Sequence, residues 1–125
     1  MKYLGVDFGL RRVGLAISEG EFASPLTVIE VKSFKDAVEK VSQVIKKEEF
    51  NKIVVGLPEG KIGQTVLGFV KALKKEGFEV ETADETLSSQ KAIAHMVLQN
   101  VSQKTRRFSD ATAAAIILQN YLDSE

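Results

Sequence analysis

Three short runs rich in β-branched residues open the sequence, and they constrain the fold more than any other feature. Residues 2–8, 13–18 and 26–31 have the composition of strands, and the second run alternates apolar side chains with small ones. Residues 9–12, which separate the first two runs, predict a hairpin turn. The start of the chain is therefore predicted to form an antiparallel three-stranded meander.

Helices and strands alternate in the rest of the sequence. Apolar residues at helical spacing predict helices that begin at Ser33 and that cover residues 64–76, 87–100 and 110–122. Short apolar runs predict two further strands, over residues 52–57 and 78–82. This order predicts an α/β fold with a mixed five-stranded sheet, in which three antiparallel strands are followed by parallel strands, flanked by helices.

Local signals define the ends of several helices. Ser33 and Asp36 have the spacing of a capping box, and Gly77 suits a left-handed end of the second helix. Residues 58–63 are predicted to be a loop. Ser109 is predicted to cap the last helix, so that Asp110 would open that helix.

Length and composition exclude several classes of protein. With 125 residues and no linker, the chain is expected to form one domain, residues 1–125. It has no cysteine and a single histidine, so any metal is expected to be held by oxygen ligands. No apolar run approaches the roughly 20 residues of a membrane span, and no signal peptide is recognisable, so a cytoplasmic protein is expected.

Three acidic residues stand where predicted elements meet their loops. Asp7 lies at the carboxyl end of the first strand, Glu85 follows the strand at 78–82, and Asp110 opens the last helix. If these side chains converge, they form a site for a hard divalent cation, Mg²⁺ or Mn²⁺, of the kind that hydrolyses phosphodiesters. Mutual repulsion would then raise the pKa of at least one carboxyl group. For Asp110 alone, a favourable interaction with the helix dipole is the alternative explanation.

The 17 basic residues balance the 17 acidic ones, so the net charge does not attract a polyanion. Binding to a nucleic acid would need a local cluster of basic residues. Between Thr86 and Ser109 every charged residue is basic, and Ser88 and Lys91 share one polar stripe of the predicted helix over 87–100. An ordinary solvated surface explains such a segment equally well. The candidate phosphate contacts are Arg11, Arg12, Lys61, Ser88, Lys91, Lys104, Arg106 and Arg107.

Four blocks of the sequence resemble the YqgF family, also called RuvX. They are Val6-Asp7-Phe8-Gly9 with Arg12, Val54-Val55-Gly56-Leu57-Pro58, Asp84-Glu85-Thr86-Leu87-Ser88-Ser89, and Asp110 with Ala113-Ala114 and Ile117-Leu118-Gln119. The resemblance implies a ribonuclease H-like fold with Asp7, Glu85 and Asp110 at the metal-binding and catalytic positions. It also implies a bacterial hydrolase that matures the 5′ end of pre-16S ribosomal RNA or resolves Holliday junctions.

Other functions compete with this hypothesis. Residues 5–9 followed by a hairpin also resemble the first phosphate loop of actin-like kinases, although the chain lacks the length for their second domain. A nucleic-acid-binding domain without hydrolysis is a further alternative. Resolution of a four-way junction requires two symmetric cuts and a two-fold dimer, whereas RNA trimming does not. The expected state is a monomer or a weak homodimer, with pre-rRNA or branched DNA as partner and no membrane.

Overall fold

The computed structural model describes residues 1–84 and 103–124, with residues 103–109 as helical backbone alone. Five strands and three helices follow one another in these ranges. In chain order they are β1 (Tyr3–Asp7), β2 (Arg12–Ser18), β3 (Ala23–Glu30), α1 (Phe34–Glu48), β4 (Lys52–Leu57), α2 (Lys61–Lys75), β5 (Val80–Asp84) and α3 (Gln103–Ser124).

The five strands form one mixed sheet in the order β3-β2-β1-β4-β5. β1 pairs antiparallel with β2 and parallel with β4, and β5 is parallel to β4. β2 and β3 complete the antiparallel part. The predicted architecture is therefore confirmed. Because β1, β4 and β5 run in the same direction, their carboxyl ends lie at one edge of the sheet, which is the edge where α/β sheets place ligands.

Helices α1 and α2 cover one face of the sheet, and this face holds the larger core. Leu4 and Val6 of β1 point into it, as do Ile53 and Val55 of β4. Phe69 of α2 is fully buried among them and packs against the Phe8 ring at a centroid distance of 4.7 Å. As the sequence pattern predicts, the apolar residues of each helix form one stripe that faces the sheet.

The start of α1 is fixed by the predicted serine cap. Ser33 is the N-cap residue, and its Oγ accepts a hydrogen bond of 3.0 Å from the backbone N–H of Asp36. The Asp36 carboxylate accepts from the backbone N–H of Lys32 at 2.9 Å, one residue earlier than in a regular capping box. This bond is the main reason why the pKa of Asp36 lies below its usual value.

Helix α3 covers the other face of the sheet through small side chains. Ala111, Ala114 and Leu118 are fully buried there, and Val54 and Ala16 meet them from the sheet. Two sheet residues beneath the helix are glycines. A Cβ on Gly5 would lie 2.8 Å from the Leu118 Cβ, and a Cβ on Gly14 would lie 2.0 Å from the Asp110 carbonyl oxygen. The helix backbone therefore rests directly on the β1–β2 hairpin.

Polar contacts fasten the far part of α3 to both edges of the sheet. Gln119 Oε1 accepts from the backbone N–H of Ala23 at 2.8 Å, and its Nε2 donates to the Glu21 carbonyl oxygen at 2.9 Å. On the opposite side the Tyr121 hydroxyl donates to the Glu81 carboxylate and accepts from Lys52 Nζ. The path of α3 across the sheet is thus fixed along its length.

Several predicted boundaries are wrong by two or more residues. β3 begins three residues before the predicted position 26 and ends at Glu30, and α2 already begins at Lys61, within the predicted loop over 58–63. The shift of β5 from 78–82 to 80–84 follows from the end of α2, because the N–H of Phe78 donates to the Leu73 carbonyl oxygen at 3.3 Å. Gly77 has a φ of 95°, which confirms the left-handed helix end.

The last helix differs most from the prediction. α3 begins at Gln103, so Ser109 is not its N-cap and Asp110 does not open it. Residues 103–109 contain one apolar side chain, Phe108, and so give no helical periodicity. The predicted helix over residues 87–100 lies outside the described residues. Among residues 1–84 and 103–124, no helix is long and apolar enough to cross a membrane.

The glycine contact beneath α3 gives a testable prediction. Gly14→Ala places a methyl group 2.0 Å from a backbone oxygen, and we expect it to lower the free energy of unfolding by about 3 kcal/mol. Gly68→Ala is the matched control, since its new Cβ meets nothing closer than 3.7 Å and alanine favours helices by about 0.5–1 kcal/mol. Urea denaturation measures both. Equal stability of the two variants would contradict the close approach.

Candidate active site

Asp7 occupies the carboxyl end of β1, in the middle of the sheet. It is half-buried, and its cross-strand partner in β2 is Gly14. Side chains alternate along a strand, and the neighbours Val6 and Phe8 belong to the core under α1 and α2. Asp7 therefore lies on the face that α3 covers.

Asp110 reaches the same face from the helix above it. Its carbonyl oxygen lies over Gly14, the residue directly opposite Asp7. The predicted approach of Asp110 through an alanine-rich helix is thus present, although the helix starts earlier than predicted. Asp110 is about two turns from Gln103. Because the dipole effect is confined to roughly the first turn, it does not explain an acid at this position.

The Oδ2 atom of Asp110 is paired with a cation but has no hydrogen bond among the described residues. Arg12 Nε lies 3.2 Å from Asp110 Oδ2, with the Asp110 side chain 27 % exposed. The Oδ2 atom itself is buried and has no hydrogen-bond partner among the described residues. Burial raises the pKa of Asp110, and the Arg12 charge opposes this rise. Desolvation is the cause of the raised pKa, so this rise does not test the predicted repulsion among the three acids.

The third predicted acid, Glu85, lies outside the described residues. The residue before it, Asp84, ends β5 and is paired with Leu57 at the end of β4. β5 is two strands away from β1 in the sheet order, which corresponds to roughly 10 Å. The strand that leads to Glu85 thus ends at the same edge of the sheet as Asp7.

The donor atoms of the Asp7–Asp110 region are suited to a hard cation. Both acids supply carboxylate oxygens, and the buried Oδ2 of Asp110 is a polar atom whose hydrogen-bonding capacity is not used. Within residues 1–84 and 110–124, no three acidic or histidine side chains come together as a complete cation site.

The predicted phosphate contacts fall into three groups. Arg11 and Arg12 are exposed at the start of β2, and Lys61 is the exposed first residue of α2. Ser88 and Lys91 lie outside the described residues. Lys104, Arg106 and Arg107 belong to α3, in the part that is described as backbone alone.

An open groove of about 970 Å³ lies beside the Arg12–Asp110 pair. Arg11 and Arg12 line it, together with two cations that the sequence analysis did not single out, Lys32 and Lys40. The antiparallel pairing of β2 with β3 brings Lys32 there, because the end of β3 lies beside the start of β2. That pairing was predicted, so the position of Lys32 was accessible from the sequence. Lys40 sits inside α1, and only the packing of that helix places it in the groove.

The sequence as a whole matches one protein family. Residues 1–124 match the family described as "RuvX: Holliday junction resolvase". A protein of Natranaerobius thermophilus named "Putative pre-16S rRNA nuclease" is 35% identical, with 100% of this chain and 96% of the relative covered. A protein of the same name from Thermoanaerobacter pseudethanolicus is 37% identical, with 100% and 98% covered. Because the RuvX family matches residues 1–124, the resemblance of residues 5–9 to an actin-like kinase loop has no further support.

Solved structures with a similar fold include two resolvases. T. thermophilus RuvC in complex with a Holliday junction substrate superposes with a TM-score of 0.61 at 20% identity, covering 99% of this chain and 95% of that one. The fowlpox virus Holliday junction resolvase gives a TM-score of 0.66 at 11% identity, with 99% of each chain covered. These likenesses show a shared ribonuclease H-like fold. The family match and the similarity to named nucleases show that this chain belongs to the RuvX family and is a phosphodiester-cleaving nuclease.

Proposed function

We propose that this nuclease is a divalent-metal-dependent endonuclease that matures the 5′ end of pre-16S ribosomal RNA. In this proposal Asp7, Glu85 and Asp110 are the catalytic residues and hold Mg²⁺ or Mn²⁺. The chain acts as a single nuclease domain, residues 1–125, in the cytoplasm. It works as a monomer or weak homodimer and has no membrane partner.

The placement of Asp110 carries the proposal. Its backbone lies on Gly14, the cross-strand partner of Asp7, and its buried Oδ2 has no hydrogen-bond partner among the described residues. A buried carboxylate oxygen without such a partner is costly unless a ligand uses it. The β5 strand ends at the same edge one residue before Glu85, which supports a third ligand from that strand.

The proposed mechanism divides the work between the acids and the basic residues. When bound, divalent cations supply an activated water nucleophile and stabilise the charge that develops on the leaving oxygen. The three carboxylates would hold the cations at the carboxyl ends of β1 and β5. Arg12 pairs with the Asp110 carboxylate and offsets part of its charge. Arg11 and Lys61, both exposed near this edge, contact substrate phosphates in the proposal.

Ribosomal RNA is the favoured substrate because the relatives that cover the whole chain carry the name of a pre-16S rRNA nuclease. Holliday junction resolution is the second candidate, and the description of the matched family favours it. The two activities differ in their geometry. A resolvase makes two symmetric cuts and so needs a two-fold dimer, whereas RNA trimming can proceed on a monomer.

Metal binding is predicted to stabilise the fold. At a free Mn²⁺ or Mg²⁺ concentration ten times the dissociation constant, the free energy of unfolding should rise by about 1.4 kcal/mol. Thermal melts in chelator and in millimolar metal measure this. Asp7→Asn and Glu85→Gln should each abolish most of the shift, and an identical wild-type melt under both conditions would contradict a metal site.

Stability in chelator should depend on the charge of Asp110. Burial raises the folded-state pKa above the unfolded value of 3.8, so the ionised carboxylate destabilises the fold at every pH above the folded pKa. This destabilisation disappears as the pH falls towards and below 3.8, where both states bind the proton.

Asp110→Asn is therefore expected to raise the free energy of unfolding at neutral pH, with the gain disappearing below about pH 4. Urea denaturation at several pH values measures the difference. Glu39→Gln removes the same charge from an exposed position of α1 and serves as control. A loss of stability for Asp110→Asn at neutral pH would show that the Arg12 pair outweighs the cost of burial.

Cleavage assays test the activity directly. Purified protein with Mn²⁺ is offered a labelled pre-16S rRNA fragment, an unrelated single-stranded RNA and a mobile four-way DNA junction. We expect cleavage of the rRNA precursor, and losses of at least about 10²-fold in kcat for Asp7→Asn, Glu85→Gln and Asp110→Asn. Cleavage that persists in all three variants would overturn the assignment, and selective cleavage of the junction would favour the resolvase.

A further inference from the structure

The groove beside Arg12 contains a pair of cations that the fold holds together. The N–H of Val31 donates to the Arg11 carbonyl oxygen at 2.9 Å, so the backbone of Arg11 lies next to the residue that precedes Lys32. Arg12 is paired with Glu30 in the β2–β3 register. Arg11 and Lys32 are both exposed and both line the groove. Pairing between the start of β2 and the end of β3 thus places Arg11 and Lys32 next to each other.

The other two cations of the groove already have anionic or polar partners. Lys40 Nζ donates to the Glu30 carbonyl oxygen at 2.9 Å and lies 3.2 Å from the Asp36 carboxylate. Arg12 pairs with Asp110. Arg11 and Lys32, in contrast, have no ion-pair or hydrogen-bond partner for their side chains among residues 1–84 and 110–124. Lys32 feels a charge attraction to Asp36 but forms no close ion pair with it. Arg11 and Lys32 repel each other as neighbouring like charges, and a bound anion relieves this repulsion.

We propose that Arg11 and Lys32 form a phosphate-binding subsite for the nucleic-acid strand, separate from the acids that carry out cleavage. This inference rests on the proposed function, since it assigns the substrate's path beyond the scissile bond. Arg12 lies between the two sites, because it lines the groove and contacts Asp110. A strand whose scissile phosphate is at Asp110 therefore reaches the subsite by following the groove past Arg12.

The shape of the groove fits a phosphodiester backbone better than a small anion. It opens to solvent and is also lined by Leu10, which is 59 % exposed at the hairpin tip. An apolar rim next to cations suits a sugar and base attached to a bound phosphate. The Glu30 side chain on the groove wall disfavours a deeply seated free anion. A backbone phosphate at the mouth, between Arg11 and Lys32, satisfies both cations.

Binding without cleavage tests this subsite. Affinities of Arg11→Ala, Lys32→Ala and the double variant are measured by fluorescence anisotropy in chelator, with a short labelled single-stranded RNA and a labelled four-way DNA junction. Each single substitution is expected to weaken binding roughly three- to tenfold at low salt and the double substitution by more. The slope of log affinity against log salt should fall by about 0.7 for the single strand, or about 0.9 for the junction, per lost contact.

Lys47→Ala is the matched control, because it removes the same charge from an exposed position in the last turn of α1, outside the groove. Its affinity and slope should equal those of the wild type. The melting temperature of Arg11→Ala should not fall, since this side chain has no described partner to lose, and that of Lys32→Ala should fall only slightly, through the lost attraction to Asp36. If Lys47→Ala weakened binding equally, the effect would come from net charge alone, and the subsite would be wrong. An unchanged salt slope in the double variant would also overturn the subsite.

The two proposals fail in distinguishable ways. If the acid variants still cleave but Arg11→Ala and Lys32→Ala lose affinity, the metal site is wrong and the subsite stands. If the acid variants lose cleavage while the groove variants bind as tightly as the wild type, the subsite alone is wrong. If the groove variants lose affinity for only the RNA or only the junction, that substrate is the one that follows the groove.

Discussion

The close contact between α3 and the β1–β2 hairpin is the constraint on which the rest of the structure depends. Gly5 and Gly14 leave no side chain between the sheet and the helix backbone, and the alanines of α3 complete the fit. A larger residue at either glycine would lift the helix and carry Asp110 away from Asp7. The site therefore depends on two residues that have no chemistry of their own. Contacts of Gln119 and Tyr121 further along α3 hold the same helix against both edges of the sheet.

The fold was predictable from the sequence because its signals are local. Alternation along β2, the apolar run of β4 and the serine cap of α1 each depend on a few neighbouring residues, and the structure confirms all three. The errors occur where tertiary contacts decide the boundary. The start of α3 could not be found from periodicity, because residues 103–109 have almost no apolar side chain, yet the helix continues through them. β5 starts late because the backbone after α2 first completes the helix end.

The candidate site was predictable only in part, for a similar physical reason. Asp7 and the end of β5 lie at the same edge of the sheet because β1, β4 and β5 are parallel. The sequence pattern already predicted parallel strands. The Arg12–Asp110 pair required knowledge of the helix path, since the partners are far apart in the chain. Arg12 was assigned to substrate, but its guanidinium contacts an acid. Lys32 could have been placed from the predicted β2–β3 pairing, whereas Lys40 depends on how α1 packs.

The pairing of Arg12 with Asp110 gives the protein a built-in counter-charge. The guanidinium lies against the Asp110 carboxylate where the β1–β2 hairpin meets the last helix, and it offsets part of the cost of burying that charge. If the proposed function holds, an incoming divalent ion has to displace this guanidinium from the Asp110 carboxylate, and the displacement lowers the affinity of the site for the ion.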